Sequence, residues 1–238
     1  MQDCYNADNY IFILIPTAAN SKYLYKFTEY GSLMSSFNPE RHLTNIDSKI
    51  VAALEKISEV FRVLLWTEAK EHNVSPIQMQ ILIFLKYHTT DKQRRIAFIA
   101  REFNLTKATI SDSVKALEQK GLIKRETDSI DSRSFNFSLT EKGVKLTGMV
   151  EHFTVPLDVA IATLSPEQKG YLLSSVFDLI YRLNSQGIIS TQRMCYNCHY
   201  YGGDRGQYHY CNLMQAPLAF EDLRLECPEH KMPEKGNT

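Results

Sequence analysis

One glycine separates two hydrophobic periods in the stretch that most constrains this chain. Before Gly121, apolar residues recur at the spacing of three to four that places them on one face of a helix. These residues are Ile110, Val114 and Leu117. After Gly121 the period becomes two, so residues 122–125 and 134–139 are predicted to pair as strands. Glycine suits the left-handed position just past a helix end, so the pattern predicts a helix, a stop and a hairpin.

The predicted helix has a second face that is polar and basic. Thr106 can act as its N-cap, because a hydroxyl there accepts from free backbone N–H groups. The side chains expected on the outer face are Lys107, Thr109, Ser111, Ser113 and Lys115. Short hydroxyls and cations of this kind can contact phosphates and base edges. Packing against another element is the alternative, since helix-turn-helix geometry also serves that purpose.

The hairpin adds two arginines to this picture. The connecting turn, TDSIDSR, is polar, and Asp and Ser favour turns by hydrogen-bonding nearby backbone. Arg133 falls at or near its tip, where a guanidinium could reach a neighbouring minor groove or phosphate. Arg125, on the first strand, is expected to contact the nucleic-acid backbone. Asp112 departs from this pattern and could accept from a cytosine amine or pair with Lys115.

Four short motifs accompany the pattern. They are S-P-x-Q at Ser75–Gln78, L-E-x-K-G-L-I at Leu117–Ile123, D-x-R at Asp131–Arg133 and LTEKG at Leu139–Gly143. Together they closely resemble the multiple antibiotic resistance regulator (MarR) family of winged helix-turn-helix repressors. The resemblance implies a mainly α fold with a small β-wing (α+β), double-stranded DNA as partner, and a homodimer. It also implies a small-molecule effector near the junction of winged domain and dimer base.

The same resemblance divides the chain into three parts. Residues 1–44 form an N-terminal extension, in which Met34 is an alternative start and Cys4 stands alone. Residues 45–190 form the winged-helix domain, and residues 191–238 form a cysteine-rich annex. Within the domain, residues 76–143 are the expected DNA-binding lobe. The expected dimerisation helices are residues 45–70 and 144–185.

Helical periodicity and capping residues place the other elements. An apolar stripe predicts a helix over 46–70, and Ser75 and Ser165 can each cap a helix with Pro at its first position. A short helix is expected near 95–103. A long one is expected over 140–163, weakened or kinked by two glycines and a proline. Aromatic residues that are candidates for an effector pocket, and more often form core, are Trp66, Tyr87 and His88.

Charge supports a nucleic-acid partner only locally. The chain has net charge zero, with 27 basic and 27 acidic residues. Residues 92–125, however, hold nine Lys or Arg against three acids, a net of +6. No apolar run approaches the roughly 20 residues that span a bilayer. Residues 10–16 lack the basic flank of a signal peptide, so a cytoplasmic protein without a membrane partner is expected.

Four of the five cysteines lie in the C-terminal annex. Cys195 and Cys198 form C-x-x-C, and Cys211 and Cys227 follow singly. Four thiolates can complete a tetrahedral metal site, which in a reducing compartment is favoured over a disulfide framework. We expect structural Zn²⁺; an iron–sulfur cluster and free thiols are the alternatives. Histidines that could replace one cysteine are His199, His209 and His230.

These features favour a transcriptional regulator, a repressor by the resemblance, over an enzyme. The chain shows no Gly-rich phosphate loop and no H-E-x-x-H motif, and a four-cysteine site lacks the open position that metal catalysis needs. The annex has few apolar residues, so a metal is expected to supply its folding energy. The alternatives are an iron–sulfur redox-sensing regulator and a protein-interaction adaptor built on a winged-helix scaffold. The salt dependence of DNA binding separates the adaptor from a DNA-binding regulator.

Overall fold

The computed structural model describes residues 35–127, 135–189 and 192–233, together with the backbone of two N-terminal strands. Those strands, β1 (Ile11–Pro16) and β2 (Lys22–Phe27), pair antiparallel. Cys4, Met34 and Arg133, on which three of the expectations rest, lie outside the described residues.

The rest of the described chain is mainly helical, as predicted. Its helices are α1 (Arg41–Thr44), α2 (Ile46–Glu71), α3 (Pro76–Tyr87), α4 (Ile96–Glu102), α5 (Lys107–Gln119), α6 (Glu141–Val150), α7 (Val155–Ala162) and α8 (Pro166–Ser185). Its strands are β3 (Ile123–Thr127), β4 (Phe135–Leu139), β5 (His209–Cys211) and β6 (Ala216–Leu218), paired antiparallel as β3–β4 and β5–β6. The order α3, α4, α5, hairpin is that of a winged helix-turn-helix. Within the described ranges no helix is both long and apolar enough to cross a membrane.

Two helices begin with the capping boxes that the sequence predicts. At α3, the Gln78 N–H donates to Ser75 Oγ and the Ser75 N–H donates to Gln78 Oε1. Ser165 and Gln168 repeat this arrangement at α8. Each box satisfies two backbone donors that a helix start otherwise leaves free, and Pro at the next position needs no such partner. These local interactions explain why both starts were predictable.

The chain divides into two compact units. One comprises Met1–Arg95 with Ser111–Thr154, and the other comprises Ile96–Ile110 with Val155–Thr238, so α5 belongs to both. In the first unit α3 is central, because it contacts α2, α6 and β4. Six of its twelve residues are buried, which matches its nearly continuous apolar sequence.

In the second unit, a core joins α8 to the cysteine-rich segment. Phe177 of α8, Met194 and Tyr196 are each at most 3% exposed and form one cluster with Leu223. Phe177 meets the Tyr196 ring edge-on at 4.6 Å between centroids. The segment therefore does not pack on its own residues alone, because Phe177 of α8 contributes to its core.

The single long helix predicted over 140–163 is also wrong. Helix α6 ends at Val150, residues 151–154 form a turn, and α7 begins at Val155. Pro156 is the second residue of α7, where its missing N–H costs nothing. Further inside a helix its ring would clash with the carbonyl four residues earlier, so the chain stops and restarts.

The wing departs from the predicted alternation. In β4 the consecutive residues Asn136, Phe137 and Ser138 are all buried, whereas Phe135 is 36% exposed. The Phe137 N–H donates to the Arg94 carbonyl at 3.3 Å, so a third segment covers the edge of the hairpin. Strand β4 therefore has no fully solvated face, which a period-two pattern alone could not show.

Candidate nucleic-acid interface and cysteine cluster

Helix α5 is capped at its start by the predicted residue. The Thr109 N–H donates to Thr106 Oγ1 at 3.1 Å, and the two threonine hydroxyl oxygens lie 2.8 Å apart. This bond satisfies one of the backbone donors left free at the helix start. Lys107 follows the cap and is exposed. The first turn of α5 thus presents two hydroxyls and a cation to solvent.

The two faces of α5 are sharply different. Its apolar stripe is at most 2% exposed, and it consists of Ile110, Val114 and Leu117. The exposed residues include Lys107, Thr109, Asp112 and Lys115, and Ser111 is half-buried. Ser113 was expected on the outer face but is only 8% exposed. It follows Ile110 by three residues, which places it on the same side of the helix.

Helix α5 ends in a Schellman motif at the predicted glycine. Gly121 has φ +67°, its N–H donates to the Glu118 carbonyl, and the Leu122 N–H donates to the Leu117 carbonyl at 3.0 Å. Leu117 and Leu122 are both buried, as this motif requires of the residues that flank the glycine. The exit direction of the chain toward the wing is therefore set by backbone geometry.

Residues at the start of α6 donate hydrogen bonds to three backbone carbonyls at this exit, those of residues 120–122. Lys142 Nζ donates to the Lys120 carbonyl at 2.9 Å, and Thr140 Oγ1 donates to the Gly121 carbonyl at 2.7 Å. The Thr140 N–H donates to the Leu122 carbonyl. A Cβ at Gly143 would fall far inside van der Waals contact with that same oxygen. The K-G-L-I and LTEKG motifs are thus two sides of one hydrogen-bonded junction.

The wing presents one arginine whose orientation is restrained. Arg125 is exposed, and its guanidinium carbon lies 3.3 Å from the centroid of the Phe135 ring. Stacking leaves the guanidinium donors at the ring's periphery available to an acceptor. Beside it, Lys124 pairs with Glu126 at 2.7 Å. Arg133, the other predicted wing residue, lies outside the described residues.

The charges of the basic segment have different roles. Arg94 Nε donates to the His88 carbonyl, and Lys120 Nζ donates to the Asn73 carbonyl at 2.7 Å, so these two cations serve the fold. By contrast Lys92, Lys107, Lys115, Lys124 and Arg125 are exposed. Within the described chain no ion pair joins Asp112 to Lys115, so the predicted helix pairing is not formed.

Two of the aromatic residues considered for an effector pocket are largely exposed, and the third is half-buried. Trp66 and Tyr87 are 60% and 63% exposed, and His88 stacks on Phe84 with ring centroids 3.9 Å apart. A groove of about 530 Å³ lies elsewhere in the first unit. Its lining includes His72, Lys120, Lys142, Lys145, Leu146 and Met149.

All four cysteines of the C-terminal segment border one small cavity. Its volume is about 30 Å³, and Cys195, Cys198, Cys211 and Cys227 line it together with tyrosine and leucine side chains. Each cysteine is a free thiol of intermediate exposure. Cys195 and Cys198 are joined by a tight turn in which the Cys198 N–H donates to the Cys195 carbonyl at 3.0 Å. Cys211 ends strand β5, so three separate segments bring sulfur to one place.

The environment of the sulfurs matches the chemistry of a thiolate site. The Arg224 N–H donates to Cys195 Sγ at 3.3 Å, which is the kind of bond that stabilises a metal-bound thiolate. Burial, followed by the proximity of the other three cysteines, raises the pKa of the Cys195 thiol. A cation that displaces the protons would remove that cost. Among the described residues, no three His, Cys, Asp or Glu side chains already stand at metal-binding distances, so binding requires the thiols to rotate inward.

The nearby histidines are engaged elsewhere. His209 is 4% exposed, and its Nδ1 lies 2.7 Å from the Tyr201 hydroxyl. His230 Nε2 lies 2.9 Å from Asn197 Oδ1, and burial lowers the pKa of this imidazole. His199 is exposed. None of the three lines the cavity, whose lining besides the four cysteines includes Glu229.

One residue next to this cluster was missed from the sequence. Arg193 contacts Glu102 at the end of α4 and Glu226 beside Cys227. Its partners are 91 and 33 positions away, and no local pattern marks such a pairing.

Part of the chain is similar to a known family. The model of the MarR family matches residues 72–134, which run from the end of α2 to the wing. No curated protein matches the chain. A MepR–DNA complex from S. aureus is similar, with 23% identity over 56% of this chain and 96% of that one at a TM-score of 0.49. MarR regulators from Methanosarcina mazei Go1 and Oenococcus oeni PSU-1 match 54% and 56% of this chain. The matched regions span 93% and 98% of those two proteins, with sequence identities of 19% and 20% and TM-scores of 0.46 for both.

Proposed function

We propose that this protein is a MarR-family transcriptional regulator, a repressor, which binds a specific sequence in double-stranded DNA. The observation that carries the proposal is the asymmetry of α5, whose apolar stripe is buried while its opposite face exposes hydroxyls and lysines. That helix, its cap and its glycine stop lie within the segment that matches the family. The protein is not an enzyme, in keeping with the non-enzymatic family it resembles.

The proposed contacts follow from side-chain type. Residues of α5 enter the major groove: Thr106, Lys107, Thr109, Ser111 and Lys115. Lysines neutralise phosphates, whereas threonine and serine hydroxyls can donate to or accept from base edges. Arg125 contacts the DNA backbone, supported by its restrained guanidinium on the wing. Arg133, by its place in the polar wing turn, reaches the minor groove.

We further propose a homodimer formed through α2. Large apolar side chains on one face of this helix are exposed, namely Ile50, Leu54, Ile57 and Phe61 at 40–50%. A stripe of this length on a water-exposed helix indicates an association surface. A two-fold dimer would place two reading helices on half-sites about one helical turn of DNA apart, which explains how so small a domain could be specific.

The DNA proposal is tested by selection and salt titration. The full-length protein would be used to select duplexes from a random-sequence pool, and the affinity for a recovered duplex measured between about 50 and 200 mM salt. We expect the logarithm of affinity to fall linearly with the logarithm of salt concentration. Lys107→Ala and Lys115→Ala should each reduce this slope by about one, as expected for single phosphate contacts.

Lys49→Ala is the matched control, since Lys49 is an exposed lysine on α2. It should leave affinity and slope unchanged. A pool that yields no enriched duplex, or α5 variants that bind like the control, would remove α5 as the reading helix.

We also propose that Cys195, Cys198, Cys211 and Cys227 hold a structural Zn²⁺. When bound, zinc would supply a closed, redox-inert cross-link between the C-x-x-C turn, the β5–β6 hairpin and the C-terminal strand segment. The supporting observations are the shared cavity and the amide bond to Cys195 Sγ. Anaerobically purified protein should be colourless with one zinc per chain. Visible absorbance with stoichiometric iron and sulfide would replace zinc by an iron–sulfur cluster.

A further inference from the structure

Arg193 forms a three-way contact inside the second unit. Its Nη1 and Nη2 donate to the two carboxylate oxygens of Glu102 at 3.0 and 2.9 Å. Its Nε donates to Glu226 Oε1. The guanidinium also lies over the Phe98 ring, 5.5 Å from the centroid. One side chain thus connects helix α4 with the segment that carries Cys227.

This contact differs from the surface ion pairs of the chain. The Arg193 and Glu102 side chains are 13% and 18% exposed, whereas those of the Arg182–Asp178 pair on α8 are 68% and 44% exposed. Fork-shaped pairing of arginine with carboxylate imposes a geometry as well as an attraction. Burial opposes the charge, but the bonds to Glu226 and Glu102 outweigh it and raise the pKa of Arg193. Removing Arg193 would take the opposite charge away from the shielded Glu102 carboxylate.

The cysteine segments determine where Arg193 lies. Its carbonyl accepts from the Cys227 N–H at 2.9 Å, and the Cys195 N–H donates to the Arg224 carbonyl at 3.0 Å. Residues 193–195 and 224–227 are therefore joined by two backbone hydrogen bonds around one isolated bridge, called the ladder below, and each segment contains a cysteine. A metal held by both cysteines would clamp this ladder, and the position of the Arg193 backbone with it.

Glu102, at the other end of the Arg193 contact, lies beside the turn between α4 and α5. Glu102 is the last residue of α4, and Asn104 adopts a left-handed φ of 53°. The Leu105 N–H donates to the Ala100 carbonyl at 2.8 Å, after which Thr106 caps α5. Only three residues separate Glu102 from that cap. The pairing of Glu102 therefore bears on the orientation of the turn and of the first α5 residues.

We propose that the four-cysteine module regulates DNA binding through Arg193, which transmits the metal state of the module to α4 and the start of α5. This rests on the proposed function of α5 and of the cysteines. With metal bound, the ladder holds Arg193 on Glu102 and the turn is ordered before DNA arrives. Without metal, the ladder loosens and DNA binding must order the turn at its own cost.

The main experiment compares four proteins with and without zinc. They are the full-length wild type, Arg193→Gln, Glu102→Gln and the double variant, kept anaerobic with a thiol reductant, before and after a zinc chelator. The readouts are zinc per chain, hydrogen exchange of amides 96–110, and affinity for a duplex recovered from the random-sequence pool. Arg182→Gln, which breaks the exposed pair on α8, is the control.

We expect chelation to weaken wild-type DNA binding about tenfold, within the range of allosteric couplings, and to speed exchange over 96–110. Arg193→Gln should keep its zinc, bind DNA about tenfold more weakly and lose its response to chelation. Glu102→Gln should behave in the same way without touching the cysteine module. The double variant should be no weaker than either single variant, because both remove the same contact. The control should match the wild type.

Several outcomes would overturn the coupling. One is that zinc-loaded Arg193→Gln and Glu102→Gln bind DNA as tightly as the zinc-loaded wild type. Another is that these variants still lose DNA affinity when zinc is chelated. A chain that takes up no zinc would remove the switch itself. If the zinc-loaded wild type bound no DNA, the proposed function would fail. The exchange of amides 96–110 would then still decide whether Arg193 connects the metal to α4.

Discussion

At the scale of single residues, the junction after α5 depends on two glycines with different roles. Gly121 provides a backbone conformation, since its φ of +67° closes the Schellman motif. Gly143 provides space, because any Cβ there would overlap the Leu122 carbonyl, a backbone atom that cannot rotate away. The same residue type therefore answers two separate physical demands 22 positions apart.

We predict opposite effects for two glycine replacements within α6. Gly143→Ala should destabilise the fold by about 1–3 kcal/mol through overpacking, even though alanine is the better helix former. Gly148→Ala should stabilise it by about 0.5–1 kcal/mol, because a Cβ at Gly148 meets nothing within 4 Å. Urea denaturation of both variants measures this difference. Equal effects would show that α6 can shift away from Leu122 without cost.

Another residue-scale contact predicts a dependence on pH. Glu151 accepts from Lys86 Nζ at 2.6 Å and from the Tyr87 hydroxyl at 2.7 Å, and these bonds lower the pKa of its carboxyl. A lowered pKa means that the contribution to stability is present above the ordinary value of 4.5 and is lost as the pH falls through the folded-state value. Glu151→Gln should therefore be less stable than wild type at pH 7, and the difference should shrink as the pH falls below 4.5.

Thermal unfolding at several pH values tests this. The control is Glu71→Gln, because Glu71 is exposed and makes no ion pair within the part of the chain that the structure describes. The thermal stability of Glu71→Gln should be close to that of the wild type at every pH measured. A constant deficit for Glu151→Gln across the range would assign the effect to packing instead of charge.

At the scale of elements, α5 is defined more by its ends than by its interior. The threonine cap and the glycine stop fix where the helix begins and ends, and the three buried aliphatic residues fix which side faces the core. The helical repeat then decides which residues face outward. Ser113 was misplaced because the predicted outer face took every second residue from Lys107 to Lys115. The exposed polar face of α5 is therefore narrower than the sequence predicted.

We predict that substitutions of Thr106 separate its capping of α5 from its proposed contact with DNA. Thr106→Ala should cost about 1 kcal/mol of stability, whereas Thr106→Ser, which keeps the accepting hydroxyl, should cost much less. Both are measured by chemical denaturation. If the two variants unfolded alike, the hydroxyl would have no capping role. Comparing their DNA affinities then separates a positional contribution of Thr106 from a direct contact.

At the scale of the whole molecule, the described chain leaves much apolar surface in water. The exposed large hydrophobic residues fall mainly on α2, α7 and α8, and several are more than half exposed. Contiguous exposed apolar residues of this kind are typical of interaction surfaces. A second copy of the chain is the partner that the proposed function assigns to the α2 stripe.

We predict that Ile57→Glu prevents this association while leaving the protomer folded. Ile57 is already 48% exposed, so a carboxylate there costs the isolated protomer little but would be buried in a dimer. Thr67→Glu is the control, since Thr67 is exposed on α2 and lies neither three nor four residues from any member of the stripe. Sedimentation should give a monomer for Ile57→Glu and a dimer for the control. A dimer for both would place the interface elsewhere.

The sequence by itself determined the features that depend on neighbours along the chain. Both capping boxes, the Thr106 cap, the glycine stop and the mainly helical order with a small hairpin are interactions within a few residues, so spacing and residue type suffice to predict them. The grouping of four cysteines was predictable as a hypothesis, because C-x-x-C with two later cysteines is a recurrent ligand pattern.

The tertiary structure alone decided what depends on distant partners. Phe177 of α8 packs against Met194 and Tyr196, so the cysteine-rich segment shares a core with that helix. The Arg94 carbonyl covers the edge of β4, so a strand expected to be half-exposed is not. Arg193 reaches Glu102 across 91 positions. Burial and ion pairing follow from three-dimensional proximity, which depends on the packing of whole elements and leaves no periodic trace in the residues themselves.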